Sequence, residues 1–314
     1  MRAALMRDGV AFAVALSLAF AACASSVAAP THAAAPVATP KGLLNLEQAR
    51  QYVLKLVNHD RALYGLSPVT LDDVATRAGQ RHADDMAKVG YTAHWGSDGS
   101  VPEQRYSEAG GTDFVQENAG CLADGKARTL EPAPHFTAQQ LERVEQAFMD
   151  EKPPHDGHRK NILKPSHSML GIGASKPSAV DLACLSQEFV DDFGDYGVLP
   201  QAARAGTTLH IEGDVKGNIV FGGVGVGRID LAKPLTATYL NTTSVYAMPS
   251  PEDLYFPKGF VTKKPVEVSG KHFKIDVALG QGGRAGRYEV SVWGKFPGSG
   301  DQLDMVSLRV VTAK

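Results

Sequence analysis

The sequence lacks several features that would narrow its function at once. Its net charge is only -2, so there is no global basic surface of the kind that binds nucleic acid. It contains no Lys/Arg run of the kind that binds anionic membranes. It also contains no H-E-x-x-H helix and no G-x-S-x-G turn, which removes the usual sequence signatures of zinc proteases and α/β-hydrolases.

The first 23 residues indicate an export leader. The apolar run Val10–Ala22 follows two arginines and is too short and Ala-rich to be a good membrane span. Two processing sites compete: Phe20–Cys23 has a lipobox pattern with Cys23 as the lipidated residue, whereas Ser26–Ala35 offers small-residue sites for ordinary secretion. Either site predicts an extracytoplasmic protein: secreted, periplasmic or an outer-membrane lipoprotein that meets the membrane only through a lipid on Cys23.

Cysteine is scarce, with three residues in 314. Cys121 and Cys184 remain once the leader is set aside. In an oxidising compartment two remaining cysteines most simply pair, and this disulfide would join the loop after Glu117 to a late strand. Two separate buried thiols are the alternative.

Composition divides the rest of the chain into two domains. Residues 24–43 are rich in Ala, Pro and Thr and indicate a flexible linker. Residues 44–195 alternate helical patterns with loops and end in strand-like runs, which predicts an α+β layered domain. Residues 196–206 are a second predicted linker, and residues 207–314 carry short β-rich runs separated by turn residues.

The first domain contains three helical patterns and two strand-like runs. Helices are predicted over Leu46–Tyr64, from Thr70 to about Val89, and from Thr137, where Gln140 completes a capping box. The predicted strands are Met169–Ser175 and Leu182–Val190.

The second domain has about seven strand-like runs, which predict an all-β sandwich of immunoglobulin-like type. We interpret it as a binding, spacing or stabilising module. The runs are Leu209–Val215, Ile219–Val226, Leu235–Leu240, Val266–Val268, Phe273–Val277, Tyr288–Trp293 and Val306–Val311.

Four polar residues of the first domain are the candidate site: His94, Glu117, Glu151 and His158. Each lies in a short polar segment beside a helical pattern, where functional side chains commonly gather. Two imidazoles and two carboxylates suit a divalent metal or an acid/base site. Spacing alone also allows each of them to be a surface or capping residue.

Short motifs over residues 45–195 resemble the CAP superfamily, which comprises cysteine-rich secretory proteins, antigen 5 and pathogenesis-related 1 proteins. The run Gly157–Leu163 followed by Leu170–Gly173 is especially similar to bacterial members. The other motifs that carry the resemblance are Leu56–Arg61, His82–Met86, Ala93–Trp95, Glu117–Asn118, Phe148–Glu151 and Gln187–Phe189.

The resemblance implies an α-β-α sandwich with an open cleft that presents two histidines and two glutamates. Matched motif by motif, these are His94, Glu117, Glu151 and His158. The family pattern differs at Phe148, where Trp is common, and at Gln116, where Gly is common. An insertion over Pro153–Asp156 can shift His158 or add His155 as a ligand.

Two functions follow from the tetrad. The first is binding of a small apolar ligand, a lipid or a cell-envelope glycan or protein partner in a cleft whose histidines hold Zn²⁺ or another divalent metal. The alternative is a metal-dependent hydrolase or protease in which Glu117 and Glu151 act on metal-bound water. A Ser–His pair of His94 with Ser97 or Ser100 has less support, and a third interpretation is that the tetrad only holds loops together.

Overall fold

The computed structural model describes residues 32–243, 246–248, 250–280 and 283–314. Cys23 and the predicted leader lie outside the described residues. Within the described part, no helix is both long enough and apolar enough to cross a membrane. The helices are α1 (Leu46–Leu63), α2 (Asp73–Val89), α3 (Pro102–Glu108), α4 (Ala138–Met149), α5 (Gly157–Ile162) and α6 (Ala237–Leu240).

The strands form three sheets. The first contains β1 (Thr70–Leu71), β2 (Phe114–Gly120), β3 (Met169–Ser175) and β4 (Cys184–Asp191). The second contains β5 (Gly194–Tyr196), β7 (Thr208–Val215), β10 (Glu267–Ser269) and β11 (His272–Ala278). The third contains β6 (Ala202–Ala203), β8 (Val220–Ile229), β9 (Asp253–Tyr255), β12 (Gly286–Lys295) and β13 (Asp304–Ala313).

The first domain is a sheet between two helical layers, as predicted. The sheet has the order β1-β3-β4-β2, antiparallel except for the β1–β3 pair. An apolar core joins one face to α1, α4 and α5, and α2 packs on the other face. A side chain at Gly171 or Gly173 would collide with the backbone of α2, so these glycines permit direct contact between helix and sheet.

Capping residues set the helix ends. Thr137 caps α4 with the predicted Gln140 box, and Asn45 caps α1 with a second box. The prediction that α2 begins at Thr70 was wrong. Thr70 pairs with β3, and Asp72 caps the helix by accepting a hydrogen bond from the Ala75 backbone N–H.

The second domain is built from the other two sheets, which share one apolar core. Six of the seven predicted runs coincide with strands. The Leu235–Leu240 prediction was wrong, since this run contains the short helix α6. The predicted linker 196–206 contributes to both sheets through Tyr196 in β5 and through β6.

A segment of the second domain crosses to the first, and we call residues 235–243 the bridging segment. Leu240 is fully buried in a cluster with Met86, Tyr91 and Ala93 of the first domain. The Leu235 backbone N–H donates to the Ser97 carbonyl at 2.8 Å. The bridging segment therefore packs on the loop that carries His94.

The disulfide between Cys121 and Cys184 is confirmed. It joins the residue after β2 to the first residue of β4, and β2 carries Glu117. The disulfide thus closes one end of the strand pair that holds the candidate site.

Candidate functional site

The fold brings the four predicted residues together. His94 lies in the loop after α2, Glu117 in β2, Glu151 just beyond α4 and His158 in α5. The imidazole centroids of His94 and His158 are 6.1 Å apart, and each imidazole is hydrogen-bonded to one of the glutamates. Two imidazole–carboxylate pairs therefore lie side by side.

The first pair is His94 with Glu117. The His94 Nδ1 and Glu117 Oε1 atoms are 2.9 Å apart. The Glu117 side chain has no exposed surface, whereas about a quarter of His94 is exposed. Arg105 of α3 donates to Glu117 Oε2 at 2.6 Å and to the His94 carbonyl at 3.0 Å. Arg105 thus binds both members of the pair.

Buried charge fixes the ionisation of Glu117. Burial alone would raise the pKa of this carboxyl, but the guanidinium of Arg105 and the hydrogen bond with His94 outweigh burial and hold the pKa well below its usual range. Burial lowers the pKa of His82 itself to about 4, so His82 is uncharged at neutral pH. Arg105 is then the cation that balances Glu117.

A third histidine, His82 of α2, lies behind the first pair. It is fully buried, and its Nε2 atom lies 2.8 Å from the Ala93 carbonyl and 3.6 Å from Glu117 Oε1. As the neutral Nε2–H tautomer it donates to Ala93. It therefore fixes the backbone just before His94.

The second pair is His158 with Glu151. His158 Nδ1 lies 2.6 Å from Glu151 Oε1, and the His158 backbone N–H donates to Oε2 at 2.9 Å. The ring packs on Phe148, with centroids 4.7 Å apart, so Phe148 provides the aromatic contact expected there. Burial lowers the pKa of His158 against the attraction of Glu151. The 153–156 insertion leaves the pair intact.

Asparagines fix the backbone behind His158. Asn118 donates to the His158 carbonyl at 3.2 Å, and Asn161 donates to Asn118 Oδ1 at 3.0 Å. Arg159 of the same helix donates to the Met149 carbonyl and the Tyr64 hydroxyl.

The geometry assigns the carboxylates an orienting role. With Nδ1–H donating to a carboxylate, each imidazole keeps the Nε2 lone pair for a metal ion or a proton. Both oxygens of Glu117 and of Glu151 already accept hydrogen bonds. These hydrogen bonds favour an orienting role over that of the predicted general base.

The donor set fits a divalent metal through two imidazoles. A carboxylate behind each imidazole matches the outer shell typical of metal-bound histidine. Among the described residues no group of three or more His, Cys, Asp or Glu side chains is arranged to hold an ion. An ion at this site would have His94 and His158 as its protein ligands, with positions left open for water or a bound molecule.

The two serines considered as nucleophiles have other contacts. Ser97 donates its hydroxyl to Asp85 Oδ1 at 2.6 Å. Ser100 is buried, and its carbonyl accepts a hydrogen bond from Arg105 at 3.1 Å. These contacts give no support to a Ser–His pair with His94.

Sequence reasoning missed Arg105 and Glu188. Glu188 is fully buried, and Ser186 donates to its Oε1 at 3.0 Å. Burial and the charge of Glu117 raise the pKa of Glu188 well above its usual range. Glu188 lies in the Gln187–Phe189 motif, which is a sequence signal for it. Arg105 lies in none of the motifs.

Comparison with known proteins adds a family. The family model described as CAP, cysteine-rich secretory protein family, matches residues 54–189. No curated protein matches the chain. The matched residues contain all four members of the tetrad.

Solved structures give weaker likenesses. An extracellular SCP-domain protein of Bacillus anthracis is 21% identical over 50% of this chain and 45% of its own length, with a TM-score of 0.34. An outer surface protein of Borrelia burgdorferi is 14% identical over 48% of this chain and 97% of its own, with a TM-score of 0.36. A chitin binding domain of Burkholderia pseudomallei is 11% identical over 37% and 58%, with a TM-score of 0.24. The chain spans less than half of the first of these structures, and the TM-scores are too low to bear on function.

Proposed function

We propose that this chain, whose residues 54–189 match the CAP model of the cysteine-rich secretory protein family, is an extracytoplasmic binding protein. His94 and His158 hold a divalent ion such as Zn²⁺ through their Nε2 atoms, and the ion's open positions receive a ligand. The observation that carries the proposal is the paired arrangement itself. Two partly exposed imidazoles, 6.1 Å apart, each turn Nδ1 toward a carboxylate.

The surroundings favour a ligand with a polar or anionic group at the ion. Most of the described large apolar side chains with the highest exposure lie in the second domain and outside the segments that carry the tetrad. A cell-envelope glycan or the headgroup of a lipid suits such a site, and an apolar tail would extend beyond it. The leader pattern supports a bacterial extracytoplasmic compartment, whether secreted, periplasmic or anchored through Cys23.

The hydrolase alternative has less support from the geometry. Glu117 is ionised, fully buried and ion-paired to Arg105, which suits an orienting group better than a base that must gain and release a proton. Both carboxylate oxygens of Glu151 accept hydrogen bonds from His158. A role in turnover would fall to the imidazoles and to metal-bound water.

The test is metal content and affinity. We expect elemental analysis and zinc titration calorimetry to give one Zn²⁺ per wild-type chain and none for His94→Ala/His158→Ala. His135→Ala, at an exposed histidine elsewhere, should bind like the wild type. Retention of stoichiometric zinc by the double variant, or absence of zinc from the wild type, would contradict the proposal.

A ligand experiment separates binding from turnover. Envelope glycans and extracted lipids are tested for binding to the zinc-loaded protein, and a peptide and ester panel is tested for hydrolysis. Zinc-dependent retention without turnover supports the binding role. Turnover that disappears in His94→Ala and in His158→Ala would replace it with the hydrolase.

A further inference from the structure

A loop of the second domain carries two adjacent, highly exposed apolar side chains. Phe260 is 70% exposed and the neighbouring Val261 is 99% exposed. They lie in residues 257–265, between β9 and β10, which we call the lysine loop. Adjacent large apolar residues in water are unfavourable unless a surface covers them. They indicate a site of contact.

The lysine loop itself carries charge of one sign. The lysine loop contains Lys258, Lys263 and Lys264 and no acidic residue, and all three lysines are exposed. Lys263 forms an ion pair with Asp253 of β9, and Lys264 donates to the carbonyl of Asp276. The sequence has no long Lys/Arg run, and the fold instead places three lysines around one apolar tip.

The loop is held in shape by its own hydrogen bonds. Its base is closed by an isolated bridge between Pro257 and Val266. The Thr262 hydroxyl accepts from the Phe256 N–H at 3.2 Å and donates to the Lys264 carbonyl at 3.0 Å. Gly259 has a φ of 110°, a backbone conformation that favours glycine. These contacts hold Phe260 and Val261 outward before any partner arrives.

We propose that the lysine loop docks on an anionic phospholipid surface. Phe260 and Val261 enter the boundary between headgroups and acyl chains, and the lysines face the lipid phosphates. Short apolar insertion combined with basic side chains is how peripheral proteins bind such membranes. This contact is independent of the His94–His158 site and of any lipid on Cys23.

The test uses the chain from residue 32 onward, which contains every described helix and strand and no lipidation site. Co-sedimentation with vesicles of phosphatidylglycerol and phosphatidylcholine is compared with vesicles of phosphatidylcholine alone. We expect binding to the anionic vesicles, weakened by added salt. Phe260→Ser/Val261→Ser should lower the partition coefficient about tenfold or more, and so should Lys258→Gln/Lys263→Gln/Lys264→Gln.

Matched controls change the same chemistry elsewhere. Val198→Ser/Tyr239→Ser alters two other exposed apolar residues, and Lys55→Gln/Lys88→Gln/Lys152→Gln removes the same charge from the first domain. Both controls should sediment like the wild type, and circular dichroism should show all variants folded. Failure of the wild type to bind, equal binding to both vesicle types, or equal losses in variants and controls would overturn the proposal.

Discussion

The two pairs share the same imidazole–carboxylate hydrogen bond but differ in the surroundings of the carboxylate. Glu117 lies 23 residues from His94 in sequence, is completely buried and is balanced by Arg105. Glu151 lies seven residues from His158, and water reaches about a quarter of its side chain. The first pair depends on tertiary structure and the second is assembled locally. A substitution elsewhere in the fold should therefore perturb His94 more than His158.

The largest effect is expected from Arg105→Met. The substitution leaves the buried Glu117 carboxylate without its cation, which costs about 3–5 kcal/mol of unfolding free energy. Urea denaturation at neutral pH measures the loss. Arg128→Met, which breaks a surface pair with Asp124, is the matched control and should leave the denaturation midpoint unchanged. Equal behaviour of the two variants would show that Glu117 is not held by Arg105.

Acid should lower the free energy of unfolding through protonation of His82, which lies behind the His94–Glu117 pair. The pKa of His82 falls from 6.5 to about 4 on folding because the side chain is buried. Between these pH values the unfolded chain binds a proton that the folded chain does not, so the free energy of unfolding falls as pH falls. The contribution is about 3 kcal/mol by pH 4.

His82→Gln removes this titration while keeping a donor for the Ala93 carbonyl. Its free energy of unfolding should fall less than that of the wild type between pH 6.5 and pH 4, measured by denaturation at stepped pH. His135→Gln, at an exposed histidine, should keep the wild-type slope. Parallel pH profiles for His82→Gln and the wild type would exclude His82 as the source.

Leu240→Ala probes the second domain's contribution. Leu240 is fully buried among first-domain residues, and its truncation should cost about 2 kcal/mol because the short helix α6 can partly close the gap. In NMR spectra the His94 ring signals should shift while those of His158 stay. Tyr239→Ala, exposed on the same helix, should move neither. Equal shifts of both histidines would contradict the independence of the two pairs.

The smallest stability effect is expected from Glu151→Gln. The amide keeps an acceptor for His158 but lacks the charge that makes the imidazole a better ligand, so zinc affinity should fall about tenfold. The free energy of unfolding should change by less than about 1 kcal/mol, since the side chain is partly exposed. Zinc calorimetry and denaturation of the same sample measure both quantities, with Glu47→Gln as the exposed control. A loss of stability as large as that of Arg105→Met would contradict the proposed difference between the two pairs.

Local rules predicted much of the fold. Helical periodicity and capping located α1 and α4, and apolar runs located β3 and most strands of the second domain. The tetrad came from motif order, because four dispersed polar residues carry no distance information by themselves. The early start assigned to α2 failed because Thr70 pairs with β3, which is a long-range contact.

Contacts between domains were the part beyond prediction. The alternating apolar run Leu235–Leu240 resembled a strand, but Leu240 is buried by the first domain and the chain turns there into α6. Arg105 gave no signal because its role depends on Glu117, which lies on a different element. Neither side chain is unusual in its own sequence neighbourhood.

The bridging segment also bears on where this molecule can be divided. The family match ends at residue 189, yet Leu240 fills a cluster made by Met86, Tyr91 and Ala93. Arg287 donates to the Gly99 carbonyl at 2.9 Å across the same boundary. Truncating the chain at the end of the family match would remove these contacts from the loop that carries His94. The segment that the family model matches is thus shorter than the segment needed to keep the buried contacts around the His94 loop.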